Sequence, residues 1–388
     1  MDKSQLFWQT YLNLEKDFLD IAKYIYIADE VPVKNSATGT QFCNTQLDTF
    51  SPFIGDLLVR ACIEIEAISK ELYFQFGGEK DRGDNDLYFD EDCLKLIDTK
   101  CNTHKKAVLV SCPSFNLTKE ENACFKPLKE AHKRKGTRWG KAYQALKHDR
   151  YFSIRQATIR NLIHAMGALF LLNIYCRKIS LTSKFTEIST LDFSLGSSIF
   201  SVKQPDQQYV VSIMNGRDVT ERLQADESPF VLKYTDRCYR KVLGAYQEMI
   251  DKINDYWQVQ PELKEPEFIQ QIERTMREEK SNPQCRCFPL IELGKYRLMK
   301  KVPASLPFDE RKKLLISSPE WNGRIQQLNP RISAEELTED NIQAEIEYVA
   351  LHAGMDLQQQ FEDIRMFQAF TEGYCELVLD TGDIRYKK

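Results

Sequence analysis

Apolar residues recur at three- and four-residue steps along most of the chain, a spacing that predicts helices. Leu6, Phe7, Tyr11, Leu14, Phe18, Ile21, Ala22 and Ile25 mark one over residues 3–30, which Val31-Pro32 breaks. Asn35 to Asp48 is polar and reads as a loop. Ser51-Pro52 opens the next helix, with Ser51 as N-cap and Pro52 in the first turn. Leu57, Leu58, Ala61, Ile65, Ile68 and Leu72 form its buried stripe, and Gly77-Gly78 ends it. A third helix, from about Phe152 to Lys178, is apolar nearly all round in its second half and belongs at the centre of a bundle. Its apolar run, Leu162 to Cys176, is interrupted by His164 and Asn173 and is shorter than the roughly 18 residues of a membrane span.

The pattern changes after Lys178. Residues 180–235 carry strand-type runs (SLTSKFTEIS, FSLGSSIFSVK, QYVVSIMNG) and the turn dipeptides Gly196-Ser197 and Asn215-Gly216, which predict a small antiparallel element. AVLVSC, residues 107–112, reads as a strand or a buried turn. Helical spacing resumes over 233–256, and the rest is helices broken by prolines, including Ala334 to Gly354 and Met355 to Tyr374. The expected fold is mainly α: a helical bundle over 1–180, a small β insertion over 181–235, and a helical C-terminal extension over 236–388.

The 388 residues are 42% hydrophobic, enough for a real core, which excludes general disorder. Net charge is −4, so global charge does not draw in nucleic acid. Local charge is another matter. Residues 126–155 hold ten Lys or Arg against Glu130 and Asp149. Residues 333–363 hold nine acidic residues and no Lys or Arg, and are an expected partner of that basic run, in cis or from a second subunit. The N-terminus shows no secretory pattern, and the eleven cysteines read as reduced thiols of a cytoplasmic protein. Cys93, Cys101, His104, Cys112 and Cys124 fall within 32 residues, but only Cys101-x2-His104 has ligand-type spacing, so scattered thiols are preferred over zinc and no cofactor is expected.

The densest chemistry is WGKAYQALKHDR, Trp139 to Arg150. An imidazole of ordinary pKa can move a proton near neutral pH, and guanidinium or ammonium groups can hold phosphate charge. Lys147, His148 and Arg150 bring these groups within one helical turn. Lys133, Arg134, Lys135, Arg138, Lys141 and Arg155 would hold a nucleic-acid backbone. Trp139 is expected to pack rather than stack bases. Arg160-Asn161-Leu162-Ile163-His164 repeats some of these residue types, with His164 expected in the core.

The order of an EIEAISKEL helix, the WGKAYQALKHDR segment and an apolar helix resembles the HEPN superfamily over about residues 53–177. The resemblance implies a HEPN-like helical bundle and a metal-independent endoribonuclease of a bacterial antiviral defence or toxin–antitoxin system. His148 falls at the family's His, Gln144 at its polar residue, and Tyr143 where Arg is usual, leaving Arg150 and Lys147 to bind phosphate. It further implies a homodimer, an antitoxin or regulatory partner, and a charged residue on the preceding helix, Glu66 or Lys70, as support, while the shortness of the apolar run gives the expectation of no membrane. The alternative is a non-catalytic module that binds nucleic acid or protein.

Overall fold

The computed structural model describes residues 2–34, 41–83, 86–133, 136–205, 227–281, 288–327, 332–361, 368 and 372–381. The fold is mainly α, and the chain forms two compact units, 1–235 with 372–388, and 236–371.

In the first unit, α1 (Lys3–Ile21), α2 (Pro52–Gln75), α5 (Arg138–His148) and α7 (Ile159–Cys176) pack on one another. Between α2 and α5 lie α3 (Lys95–Cys101) and the short α4 (Glu120–Ala123), and α6 (Arg150–Ser153) sits between α5 and α7. Sequence sets the α2 start as expected: the Ser51 side chain accepts from Ile54 N at 3.1 Å, with Pro52 in the first turn. Sixteen of the eighteen α7 residues are buried. This helix is long and apolar enough to cross a membrane, but its apolar surface is spent on the core of the unit. Phe170 meets the rings of Tyr11 and Phe200, both centroids 5.9 Å away. Gly167 lets the Phe125 ring lie against α7, since a Cβ there would stand 2.9 Å from it.

The first helix stops at Ile21 rather than near residue 30. Ile27 and Ala28 instead form β1, fully buried and paired in parallel with β5 (Phe115–Asn116). Burial on both faces makes such a strand read as continued helical apolarity. Nearby, β2 (Val31–Lys34) pairs with β3 (Gln41–Asn44), in part of the stretch expected to be a loop. The central helix begins at Ile159, because the Thr158 side chain caps Asn161 N at 3.2 Å and separates α7 from the turn before it.

The 181–235 stretch does contain strands, β7 (Leu181–Lys184), β8 (Phe200–Val202) and β9 (Phe230–Tyr234), but none pairs with another. The strand expected within 107–112 is β4 (Val108–Val110), which lies between β6 (Cys124–Phe125) and β8. The strand β10 (Tyr374–Leu379) runs antiparallel between β7 and β9. So 236–388 is not wholly a helical extension. YCELVL alternates, with Cys375, Leu377 and Leu379 buried, and its period of two suits a sheet. The buried ion pair of Lys106 with Asp380 fastens the end of this strand to the segment leading into β4. QYVVSIMNG and Asn215-Gly216 lie outside the described residues.

The second unit contains α8 (Asp236–Gln258), α9 (Pro266–Ser281), α10 (Pro289–Lys301), α11 (Phe308–Ser317), α12 (Pro319–Gln327) and α13 (Ile342–Gln359). The α10 and α13 backbones meet at Gly294 and Gly354, where a Cβ on Gly294 would stand 2.5 Å from the Gly354 Cα. One core gathers Leu298, Leu315, Trp321 and Ile346, and another Phe268, Leu293 and Tyr296.

Candidate nucleic-acid interface

Helix α5 is built with one dry and one wet face. The Thr137 side chain caps it, accepting from Gly140 N at 3.0 Å. Trp139, Ala142, Tyr143 and Leu146 recur at helical steps and are buried. The Trp139 indole N–H donates to Pro127 O at 3.0 Å, so this ring packs. Arg138, Lys141, Gln144, Lys147 and His148 are exposed. Asp149 ends the helix and its side chain accepts from Phe152 N at 3.3 Å, starting α6.

That tight change of direction turns two aromatic rings outward. Tyr151 and Phe152 are 84% and 81% exposed, with centroids 5.1 Å apart and planes at 90°. Arg150 and Arg155 on either side are exposed too. Among the described residues, no ion pair or side-chain hydrogen bond holds His148, Arg150, Lys141 or Arg138. Lys147 Nζ sits 5.5 Å from the centre of the Tyr143 ring. Lys133 is 3.9 Å from Glu130, a loose surface pair. Arg134 and Lys135 lie outside the described residues.

The supporting residues take other positions than the resemblance implies. Tyr143, in the Arg place, is buried under α5 and does not share the exposed face. Burial, then the charge of Glu66 and a hydrogen bond to it, push the Tyr143 phenol well above its ordinary range. Glu66 therefore supports a tyrosine rather than a histidine or arginine. Lys70 is exposed, and no ion pair joins it to Glu66.

The second segment is occupied by packing. Arg160 Nη1 donates to Asn122 Oδ1 at 2.6 Å, and Nε reaches Asp48 at 3.3 Å. Asn122 in turn donates to Asp29, whose carboxylate also accepts from Thr118 N, Thr118 Oγ1 and Lys119 N. Burial raises the Asp29 pKa, but these hydrogen bonds outweigh burial and hold it down at about 2. His164 stacks on Phe125, centroids 4.1 Å apart. Burial, then the charges of Arg160 and Arg138, lower its pKa to about 4, so it is neutral at pH 7.

A cleft of about 640 Å³ opens beside the first turns of α5. Its lining includes His132, Lys133, Lys141 and Gln144, with Asp90 and Glu91 from a π-helix over Phe89–Leu94. Asp98 stands between two imidazoles, 2.8 Å from His104 Nδ1 and 3.6 Å from His132 Nε2. His104 is thus tied to a carboxylate, and no group of three His, Cys, Asp or Glu able to hold a metal forms among the described residues. Cys93, Cys101 and Cys112 are buried.

Sequence reasoning missed Tyr151 and Phe152, because Phe152 reads as the first residue of the apolar helix. The signal was present: a Tyr-Phe dipeptide between Arg150 and Arg155 in the most basic stretch of the chain. Comparison with protein-family models, with curated proteins and with solved structures finds no match to this chain.

Proposed function

We propose that the first unit binds single-stranded nucleic acid, RNA in the first instance, along the exposed face of α5 and the α6 turn. The observation that carries this is the pair of exposed rings, Tyr151 and Phe152, set among exposed Lys147, His148, Arg150 and Arg155. Exposed cations without carboxylate partners attract a phosphate backbone, and exposed rings stack unpaired bases whatever their identity. Apolar rings left in water repay that exposure when a base covers them. The HEPN-like reading of the bundle stays part of this proposal, and it needs only that α1, α2, α5 and α7 pack together. A homodimer that places two such faces together, and a cytoplasmic antitoxin or regulatory partner, remain part of this proposal.

Two variants of the reading differ at His148. As a general base it would take the ribose proton while Arg150 and Lys147 hold the phosphate. As a binding residue it would only add to the surface charge. Binding is favoured, because among the described residues no ion pair or side-chain hydrogen bond orients the His148 ring.

The test is fluorescence anisotropy with a short unstructured oligoribonucleotide in EDTA. Binding is expected to weaken steeply with salt, with a slope of about −0.7 per phosphate contacted. Tyr151→Ala with Phe152→Ala is expected to weaken it about tenfold or more. No binding at low salt contradicts the proposal. Cleavage in EDTA that disappears in His148→Ala moves the reading to catalysis.

A further inference from the structure

The cleft beside α5 carries charges of both signs that do not neutralise one another. Asp92, the last acidic residue of the first π-helical turn, is engaged: it accepts from Lys80 Nζ at 2.7 Å and Tyr88 N at 2.9 Å. Asp90 and Glu91 are not. Asp90 accepts only the Glu91 backbone N–H, at 3.0 Å, and no cation pairs with either carboxylate among the described residues. The other side of the lining comes from different segments, the turn bearing His132 and Lys133 and the helix bearing Lys141 and Gln144. Lys141 has no ion pair among the described residues either. Opposite charges that share a cleft without pairing suit a ligand with hydrogen-bond donors at one end and an anion at the other.

The π-helix is a second observation. Its wide ring of hydrogen bonds is rarely used, and where it occurs it often marks a functional site. Here it presents Asp90 and Glu91 to the cleft.

We infer that this cleft takes one guanosine nucleotide of the bound strand, its base edge on Asp90 or Glu91 and its phosphate toward Lys133 and Lys141. This rests on the reading that the α5 face binds a single strand. Guanine carries two adjacent donors, N1–H and the N2 amine, which a carboxylate accepts side by side. Adenine, cytosine and uracil each set an acceptor against one of those oxygens, which repels it. The volume suits a nucleotide, lying within the usual range of small-ligand sites. The cleft is continuous with the proposed path, because Lys141 and Gln144 share their helical face with His148. His132, facing Asp98 across 3.6 Å, is held at the cleft wall by that carboxylate.

The experiment compares uridine oligoribonucleotides of one length that carry a single central guanosine, inosine, adenosine or uridine, by anisotropy on the full chain. Guanosine is expected to bind about tenfold tighter than adenosine or uridine. Inosine, which lacks the N2 amine, is expected to fall between. Asp90→Asn with Glu91→Gln is expected to erase the guanosine advantage, and Glu91→Gln alone to reduce it. A thermal melt checks that both variants fold. Equal binding of all four probes overturns the inference and leaves the strand-binding reading standing. A guanosine advantage that survives the double substitution also overturns the assignment to this cleft. Failure of every probe to bind overturns both.

Discussion

Two short segments of this chain hold the same kinds of residue and differ in their use. Arg160 and His164, one turn apart on α7, are absorbed: the guanidinium by Asn122 and Asp48, the imidazole by the Phe125 ring. Lys147, His148 and Arg150 stand in water at the α5–α6 turn, beside two aromatic rings that are themselves exposed. The difference teaches that residue type alone does not mark a site. Charge on α7 is partnered and half-buried, whereas charge at the α5–α6 turn is left open, as the proposed strand binding requires. The buried Lys106–Asp380 pair is the extreme of the first kind.

This contrast is broken most severely at that buried pair. Asp380→Ala leaves the Lys106 ammonium without this carboxylate in a dry site and is expected to destabilise the first unit by about 3–5 kcal/mol. Chemical denaturation followed by tryptophan fluorescence measures it, and a loss below 1 kcal/mol would contradict the role given to the pair.

The next largest effect is one of pH. The folded-state pKa of His164, about 4, lies below the ordinary 6.5, so between those values the unfolded chain binds a proton that the folded chain does not. Stability from this group is therefore complete above pH 6.5 and is lost as pH falls toward 4, by at most about 3 kcal/mol. His164→Leu is expected to flatten that part of the urea-midpoint profile. Asp29, also lowered, acts in a separate window: its contribution is lost only as pH falls from about 4 to about 2.

Smaller effects sharpen the comparison because they go in different directions. Arg160→Ala is expected to lose about 1–3 kcal/mol of stability with RNA affinity unchanged. Arg150→Ala is expected to leave the melting temperature within about a degree and to reduce the salt slope of RNA binding by about 0.7. An equal fall in stability for both would erase the distinction.

Much of this fold was legible in the sequence. The α2 start followed from Ser51-Pro52, and the central burial of α7 from its all-round apolarity. Burial of His164 and Trp139 was likewise readable from their apolar and packed surroundings. The errors in the strands share a cause, which is pairing between segments distant in sequence, whereas the late start of α7 is a local matter of the Thr158 cap. Nothing near Tyr374 says that its strand will lie between residues 181–184 and 230–234. Ile27 and Ala28 look helical because β1 is buried on both faces. The candidate interface was half legible: the basic run was plain, but the exposure of Tyr151 and Phe152 depends on where Asp149 and Thr158 cap their helices. Likewise, Asp90 and Glu91 reach the cleft through a π-helix that composition does not announce.

The central claim, that a nucleic-acid strand lies on the α5–α6 face, is tested most directly by crosslinking. The full chain is irradiated with RNA containing 4-thiouridine, digested, and the modified peptides are identified by mass spectrometry. The account requires adducts concentrated on Tyr151, Phe152 and their neighbours between residues 147 and 155. Adducts confined to residues 236–371, or an unmodified 147–155 peptide under conditions where the RNA is bound, would contradict it.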